Sequence, residues 1–229
     1  MKKRVFYTEI AYFLALAMLA IGTALTAYGD FGVSMVVAPA YVLHLKLSPA
    51  LPWFSFGMAG YTLQAVVLAA LMLLMGKARL RYFLSFVTAV GYGFALDGAM
   101  RIVGLLPENL ILQVVLYVTG ALLCCGGLSF LFCTYLPPEA YELFVKELSK
   151  KLNKPVHKVK IAYDCCSLAV AVLLSLLLFG ALRGIGIGTA VCAFLYGPLI
   201  RLFQKLYGRR LQFADKFPAR KYFEEKEEA

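Results

Sequence analysis

Charged residues are scarce in this chain of 229 amino acids. Asp, Glu, Lys and Arg make up 16% of it, whereas soluble domains carry about 25%. So few charges cannot cover a hydrophobic core with polar surface, which excludes a soluble globular protein. We therefore interpret the formal net charge of +10 as a mark of the cytoplasmic side of a membrane and not as a nucleic-acid-binding surface.

The sequence also has little of what catalysis and metal binding require. Its two histidines, His44 and His157, are predicted on opposite sides of the membrane, and its six cysteines lack the spacing of zinc or iron–sulfur sites. No Walker motif, HExxH motif or Ser/His/Asp constellation stands out. We therefore expect neither an enzyme nor a bound cofactor.

Apolar sequence, in contrast, is abundant: 62% of the residues are hydrophobic and the mean hydropathy is +0.77. A helix needs about 20 mostly apolar residues to span a bilayer. The run after the basic N-terminus is too long for the core of a signal peptide, so it is interpreted as the first span. Six stretches qualify: residues 8–28, 52–75, 82–103, 110–134, 159–180 and 185–206. These predict an all-α integral membrane protein with one membrane domain over residues 1–208 and a charged cytoplasmic tail over 209–229.

The basic residues predict the orientation of the spans. Placing residues 1–7, 76–81, 135–160 and 201 onward in the cytoplasm puts 20 of the 23 Lys and Arg there, with both termini inside. The segment from Phe31 to Leu47 does not fit as a further span, because it would move the basic residues of 76–81 outside. We expect a short re-entrant or interfacial helix there.

The two halves of the chain resemble each other when 104 is added to a residue number. Each half, about 8–103 and 110–206, then contains one span, one short helix and two further spans. An odd number of spans makes the repeats inverted in the membrane, which is a recurring plan of transporters. The pairs that carry this register are Gly76/Gly180, Arg79/Arg183, Tyr92/Tyr196 and Gly93/Gly197.

A second short helix is predicted from Pro138 to Leu152. Its apolar residues recur at helical spacing, and Glu142/Lys146 and Glu147/Lys151 are i,i+4 pairs. We expect it to lie on the inner membrane surface with these pairs on its wet face. The alternative is a docking helix for a cytoplasmic partner.

The C-terminal third carries a family resemblance. The segment "YLPPEAYELFVKELSKKLNKPVHKVK" from Tyr135, followed by a span and then "RGIGIGTAVCAFLYGPLIRLF" from Arg183, resembles the YczE/YyaS/YitT-like family of bacterial membrane proteins. The resemblance implies a polytopic protein of the bacterial cytoplasmic membrane that is sometimes discussed as transporter-like. It implies no catalytic residues.

Several polar or small residues inside the spans are candidates for a substrate site, because an intramembrane polar group needs a partner or a ligand. Asp97 could instead pair with Arg101, Gln64 could join helices, and the tyrosines could simply pack. Arg201, Asp164 and Glu9 are interpreted as anchors at the membrane boundary. The candidate substrate-binding residues are Asp97, Gln64, Tyr92, Tyr196, Gly186, Gly188 and Thr189.

Three functions remain open on the sequence alone. The favoured one is a secondary transporter or facilitator of a small, modestly polar or amphipathic molecule. The second is a substrate-binding membrane subunit of an importer driven by a partner ATPase, and the third is a regulatory or assembly protein that holds a cytoplasmic partner. A homo-oligomer is compatible with each of them.

Overall fold

The computed structural model describes residues 4–107 and 109–216. Most of the predicted tail, residues 217–229, lies outside this part of the chain. The described residues form, in order, β1 (Arg4–Tyr7), α1 (Thr8–Gly29), α2 (Ala38–Leu47), α3 (Phe56–Met75), α4 (Leu80–Val103), α5 (Leu110–Leu131), α6 (Ala140–Leu152), α7 (Val156–Phe179), α8 (Ile187–Arg210) and β2 (Leu211–Ala214).

Six of these helices are long and apolar enough to cross a bilayer: α1, α3, α4, α5, α7 and α8. Their outward faces carry large apolar side chains, such as Leu73, Leu177 and Phe194, each at least 80% exposed. Such an apolar surface is stable in contact with lipid but not in contact with water. The predicted all-α integral membrane fold is confirmed.

The order of helices repeats, with α1–α4 followed by α5–α8 in the same sequence of span, short helix, span, span. Gly76 and Gly180, which the 104-residue register pairs, end α3 and α7 in the same left-handed conformation, with φ of +63° and +68°. Glycine reaches this conformation without the steric cost that other residues meet. Because each half contains three spans, the halves have opposite orientations.

α1 and α5 pack antiparallel along each other at the centre of the molecule, and α1 also packs against α4. Their close contact depends on glycine, since a Cβ at Gly22 would lie 2.7 Å from the carbonyl oxygen of Gly120, and one at Gly120 would lie 2.6 Å from that of Gly22. Small residues allow such close backbone contact between membrane helices. The pair joins the two halves.

The short strands β1 and β2 form a parallel pair with Arg4 opposite Leu211. The chain therefore enters α1 and leaves α8 on the same side of the membrane, here named the terminal side. The backbone N–H of Lys216 donates to Glu9, at 3.1 Å from Oε1, and adds a further contact at this edge.

The prediction that α6 lies on the membrane surface is wrong. Its first backbone N–H, on Ala140, donates to Oε1 of Gln64 at 3.0 Å, and Gln64 lies near the middle of the span α3. The helix therefore starts at mid-depth and runs back to the terminal side, packed against α3, α4 and α7. α2 is also re-entrant, because it starts near the middle of the span α7 and ends at its edge. Just before α2, the carbonyl of Val36 accepts from Ser167 at 3.5 Å, and at its end Lys46 donates to the carbonyl of Leu178 at 2.8 Å.

The expected wet face of α6 is also wrong, because protein covers its two acidic residues. Glu142 is 9% exposed and accepts from Lys160 of α7 at 2.8 Å. Glu147 is 5% exposed and pairs with Arg81 of α4 at 3.2 Å, while the Tyr82 hydroxyl donates to it at 3.1 Å. Basic residues on other helices compensate the charges of these carboxylates where water was expected.

Candidate functional site

The two halves differ in how their last two helices pack. α3 lies along α4, but within the described chain α7 and α8 do not make comparable contact. Between α7 and α8 the molecule contains a cavity of about 420 Å³, within the range of small-molecule sites. Residues from both halves line it, contributed by α1, the loop before α2, α4, α5, α6, α7 and α8.

One difference between the repeats coincides with this difference in packing. A Cβ on Gly57 of α3 would lie 2.7 Å from the carbonyl carbon of Gly93 on α4, so these two glycines allow close contact. The 104-residue register keeps the second glycine as Gly197 but replaces the first by Ile161. Both Ile161 and Gly197 line the cavity, so the second half carries a bulky side chain at the position where the first half has the glycine of its close contact.

A partly buried ionic cluster forms one wall of the cavity. The Lys160 Nζ lies 2.8 Å from Oε1 of Glu142 and 3.2 Å from Oδ1 of Asp164, one helical turn further along α7. All three side chains line the cavity. Since a single charge inside a membrane protein is costly, the three stabilise one another.

Glu139, the residue before α6, adds a fourth charged group to this wall. Its side chain is buried and its Oε2 accepts from Nε2 of Gln64 at 3.2 Å. Burial and the neighbouring carboxylate of Glu142 together raise the pKa of Glu139 to about 7, although the hydrogen bond from Gln64 and the charge of Lys160 lower it. The carboxyl can therefore exchange a proton near neutral pH.

Three tyrosines face the same space: Tyr92 of α4, Tyr141 of α6 and Tyr196 of α8. The Tyr92 hydroxyl donates to Oγ1 of Thr23 at 2.9 Å. The hydroxyls of Tyr141 and Tyr196 are both buried. That of Tyr196 lies beside the thiols of Cys124 and Cys192, whereas that of Tyr141 has no hydrogen-bond partner among the described residues. Buried hydroxyls usually have a partner, so the Tyr141 hydroxyl is available to a ligand.

The rest of the wall is mainly apolar, with Leu19, Leu128, Leu131, Phe132 and Ile200 among its side chains. Arg201 and Gln204 line the cavity towards the terminal side, where α8 ends. The site therefore combines a charged and aromatic end with an apolar wall, an arrangement suited to an amphipathic molecule.

The structure brings three of the sequence-predicted residues to this site. Tyr92 and Tyr196 line the cavity, and Gln64 lies directly behind it, holding both Glu139 and the start of α6. Asp97 is elsewhere. It caps α3, accepting from Oγ of Ser55 at 2.5 Å and from the N–H of Gly57 at 2.7 Å, and it forms no ion pair with Arg101 in the described chain.

The predicted glycine turn also lies outside the cavity. The N–H of Gly188 donates to the carbonyl oxygen of Phe31 at 2.8 Å, and a Cβ on Gly186 would lie 2.5 Å from the same oxygen. Thr189 contacts Gly32 in the same loop. These residues join the start of α8 to the loop after α1, on the side opposite the terminal side.

The sequence matches a family model over residues 6–205, described as a family of unknown function (DUF6198). The chain belongs to this family. Searches of curated proteins and of solved structures give no match. The range matched to DUF6198 contains every residue that lines the cavity.

Sequence reasoning missed the charged residues of this DUF6198 site. Glu139, Glu142 and Lys160 were assigned to a cytoplasmic segment, and Asp164 to the membrane boundary, because hydropathy alone does not detect a helix that enters and leaves on the same side. The repeat contained the missing signal. If the segment from Phe31 to Leu47 re-enters the membrane, its counterpart 104 residues later is expected to do the same.

Proposed function

We propose that this protein is a secondary transporter or facilitator of a small, amphipathic molecule across the bacterial cytoplasmic membrane, with both ends of its membrane domain in the cytoplasm. The observation that carries the proposal is the cavity between the inverted halves, with buried charges and the unpartnered hydroxyl of Tyr141 in its wall. Transporters built from inverted repeats bind their substrates at such a junction. The cytoplasmic assignment and the resemblance to YczE/YyaS/YitT-like proteins rest on the sequence.

The unequal packing of the two halves supports transport. α3 and α4 are closed on each other while α7 and α8 are apart, and in an inverted repeat these pairs face opposite sides of the membrane. Alternating access requires such a difference between the halves, since one side must be closed while the other is open. A purely structural membrane protein has no need of it.

The partner-holding alternative has less support. It depended on an exposed helix from Pro138 to Leu152, but α6 is packed against three other helices and buries both Glu142 and Glu147. Little of its surface remains for a cytoplasmic partner.

The test is uptake into liposomes that contain only the purified protein. Isotope-labelled amino acids, quaternary ammonium compounds, short-chain carboxylates and polyols are assayed in parallel. We expect saturable uptake of at least one compound. Ala193→Trp, which places an indole in the cavity, should abolish it.

The matched control is Val191→Trp on the same helix, since Val191 is exposed on the outer surface and does not line the cavity. This variant should retain uptake. Absence of saturable uptake for the whole panel, or equal loss in both variants, would overturn the proposal.

A further inference from the structure

We propose that the cavity binds an organic monocation, an amphipathic amine or quaternary ammonium compound, in competition with a proton on Glu139. This inference names the substrate class of the proposed transporter and so rests on that function. It is carried by three observations: the charge balance of the wall, the three tyrosines, and the position of Glu139.

The charge balance favours a positive ligand. The charged side chains that line the cavity in the described chain are Glu139, Glu142, Asp164, Lys160 and Arg201. Arg201 is exposed at the terminal side, so the four inner groups carry two negative charges with Glu139 ionised and one with Glu139 protonated. One monocation therefore replaces one proton without changing the net charge inside the membrane, where added charge is costly.

Among the described residues, the inner end of the site offers an anionic ligand no basic side chain that is not already paired. The ammonium of Lys160 already contacts two carboxylates, at 2.8 Å from Glu142 and 3.2 Å from Asp164. The remaining positive group, Arg201, is exposed at the terminal side. Replacing a carboxylate of the cluster by an external anion would break a buried ion pair.

The tyrosines supply a second kind of contact with a cation. Tyr92, Tyr141 and Tyr196 come from three different helices and face one space, as in the aromatic sites that hold quaternary ammonium groups. The Tyr141 side chain is 3% exposed, and its hydroxyl lacks a partner. An ammonium N–H could donate to that oxygen, and the apolar wall would cover the organic substituents.

Glu139 is placed to sense both the proton and the cation. Gln64 of α3 holds one of its oxygens, while Glu142 and Lys160 are the neighbouring charges. The other titratable groups that face it are phenols and one thiol, which are neutral at pH 7 at their ordinary pKa values. These groups are Tyr12 of α1, Tyr92 of α4, Cys124 of α5 and Tyr141 of α6.

Cation binding and proton release form one balanced step. The cation enters the cavity, the carboxylic acid of Glu139 loses its proton to water, and the carboxylate then faces the cation. Because burial raises the pKa of Glu139 to about 7, both forms are populated near neutral pH.

The experiment uses the full chain in detergent and three permanent cations of increasing size: tetramethylammonium, benzyltrimethylammonium and tetraphenylphosphonium. Binding is measured by calorimetry between pH 5.5 and 8.5, and proton release is measured in weakly buffered solution. We expect at least one cation to bind, with affinity falling about tenfold per pH unit below about pH 7. Close to one proton should be released per cation at pH 6.

Two variants test the assignment to Glu139. Glu139→Gln should weaken cation binding at least tenfold at pH 8 and remove both the pH dependence and the proton release. The matched control is Glu147→Gln, which changes a buried carboxyl of α6 that pairs with Arg81 outside the cavity. This control should keep the pH profile. If Glu139→Gln does not fold, the proton release of the wild-type protein decides.

Failure of this inference and failure of the proposed function give different results. Absence of binding by all three cations, or binding without proton release, overturns the cation site. Saturable liposome uptake of a neutral or anionic compound would then leave the transporter proposal standing. Conversely, cation binding with proton release supports the site even if no labelled compound crosses the liposome membrane.

Discussion

The close contact between α3 and α4 makes a quantitative prediction about two glycines one turn apart on α3. A Cβ on Gly57 would lie 2.7 Å from Oδ2 of Asp97 and 2.7 Å from the carbonyl carbon of Gly93. Since one obstacle is backbone, the helices must separate. Gly57→Ala therefore also weakens the hydrogen bond from its N–H to Oδ1 of Asp97, now 2.7 Å long.

The two effects can be added. Overpacking costs about 1–3 kcal/mol, and loss of a hydrogen bond to a charged acceptor costs about 1.5–3 kcal/mol. The helical preference of alanine returns up to about 1 kcal/mol. With the full return, we expect Gly57→Ala to lower the free energy of unfolding by about 1.5–5 kcal/mol.

Gly60→Ala is the matched control, because a Cβ at Gly60 meets no atom within 4 Å. It should be neutral or stabilise the helix by up to about 1 kcal/mol. Both variants are compared by circular dichroism during unfolding in mixed micelles of dodecylmaltoside and dodecyl sulfate. Equal stability of the two variants would refute the argument that this contact requires glycine.

Two further predictions concern the charged wall of the cavity. Because the folded-state pKa of Glu139 is raised from 4.5 to about 7, the folded protein binds this proton more tightly than the unfolded chain. The free energy of unfolding should therefore fall by about 3 kcal/mol between pH 4.5 and 7. Thermal melts of the wild-type protein and of Glu139→Gln over this pH range measure the effect, and parallel pH profiles of the two proteins would contradict it. Lys160→Met should cost about 3 kcal/mol, because it leaves the carboxylates of Glu142 and Asp164 without their cation; a loss below about 1 kcal/mol in the same melts would argue against the ion cluster.

The sequence is sufficient to predict the spans because their signal is local. Each span is an apolar run, and glycines such as Gly76 and Gly180 mark the same helix end in both halves. The pairing of β1 with β2 agrees with an even number of crossings between them.

The depth of α6 could not be predicted from its own pattern. Glu142 and Glu147 on one face of an amphipathic helix look the same whether water, Lys160 or Arg81 faces them. The partners lie on α7 and α4, so only the tertiary structure distinguishes the two cases.

Asp97 illustrates the opposite difficulty. A carboxylate inside an apolar span predicts a functional site, but Ser55 and Gly57 at the start of the neighbouring helix satisfy this one locally. Gln64 was singled out for the same reason and does lie next to the cavity. A polar residue inside an apolar span suggested a site in both cases. Only the tertiary structure shows that the partners of Asp97 lie at a helix start and those of Gln64 lie beside the cavity.

Liposome uptake with the two tryptophan variants of α8 tests the central claim most directly. Ala193 lines the cavity, and Val191, two residues earlier, lies on the outer surface. If the substrate passes through this cavity, uptake is saturable in the wild-type protein, lost in Ala193→Trp and retained in Val191→Trp. Uptake that persists when the cavity is filled, or that is absent from the wild-type protein for every compound of the panel, would contradict it.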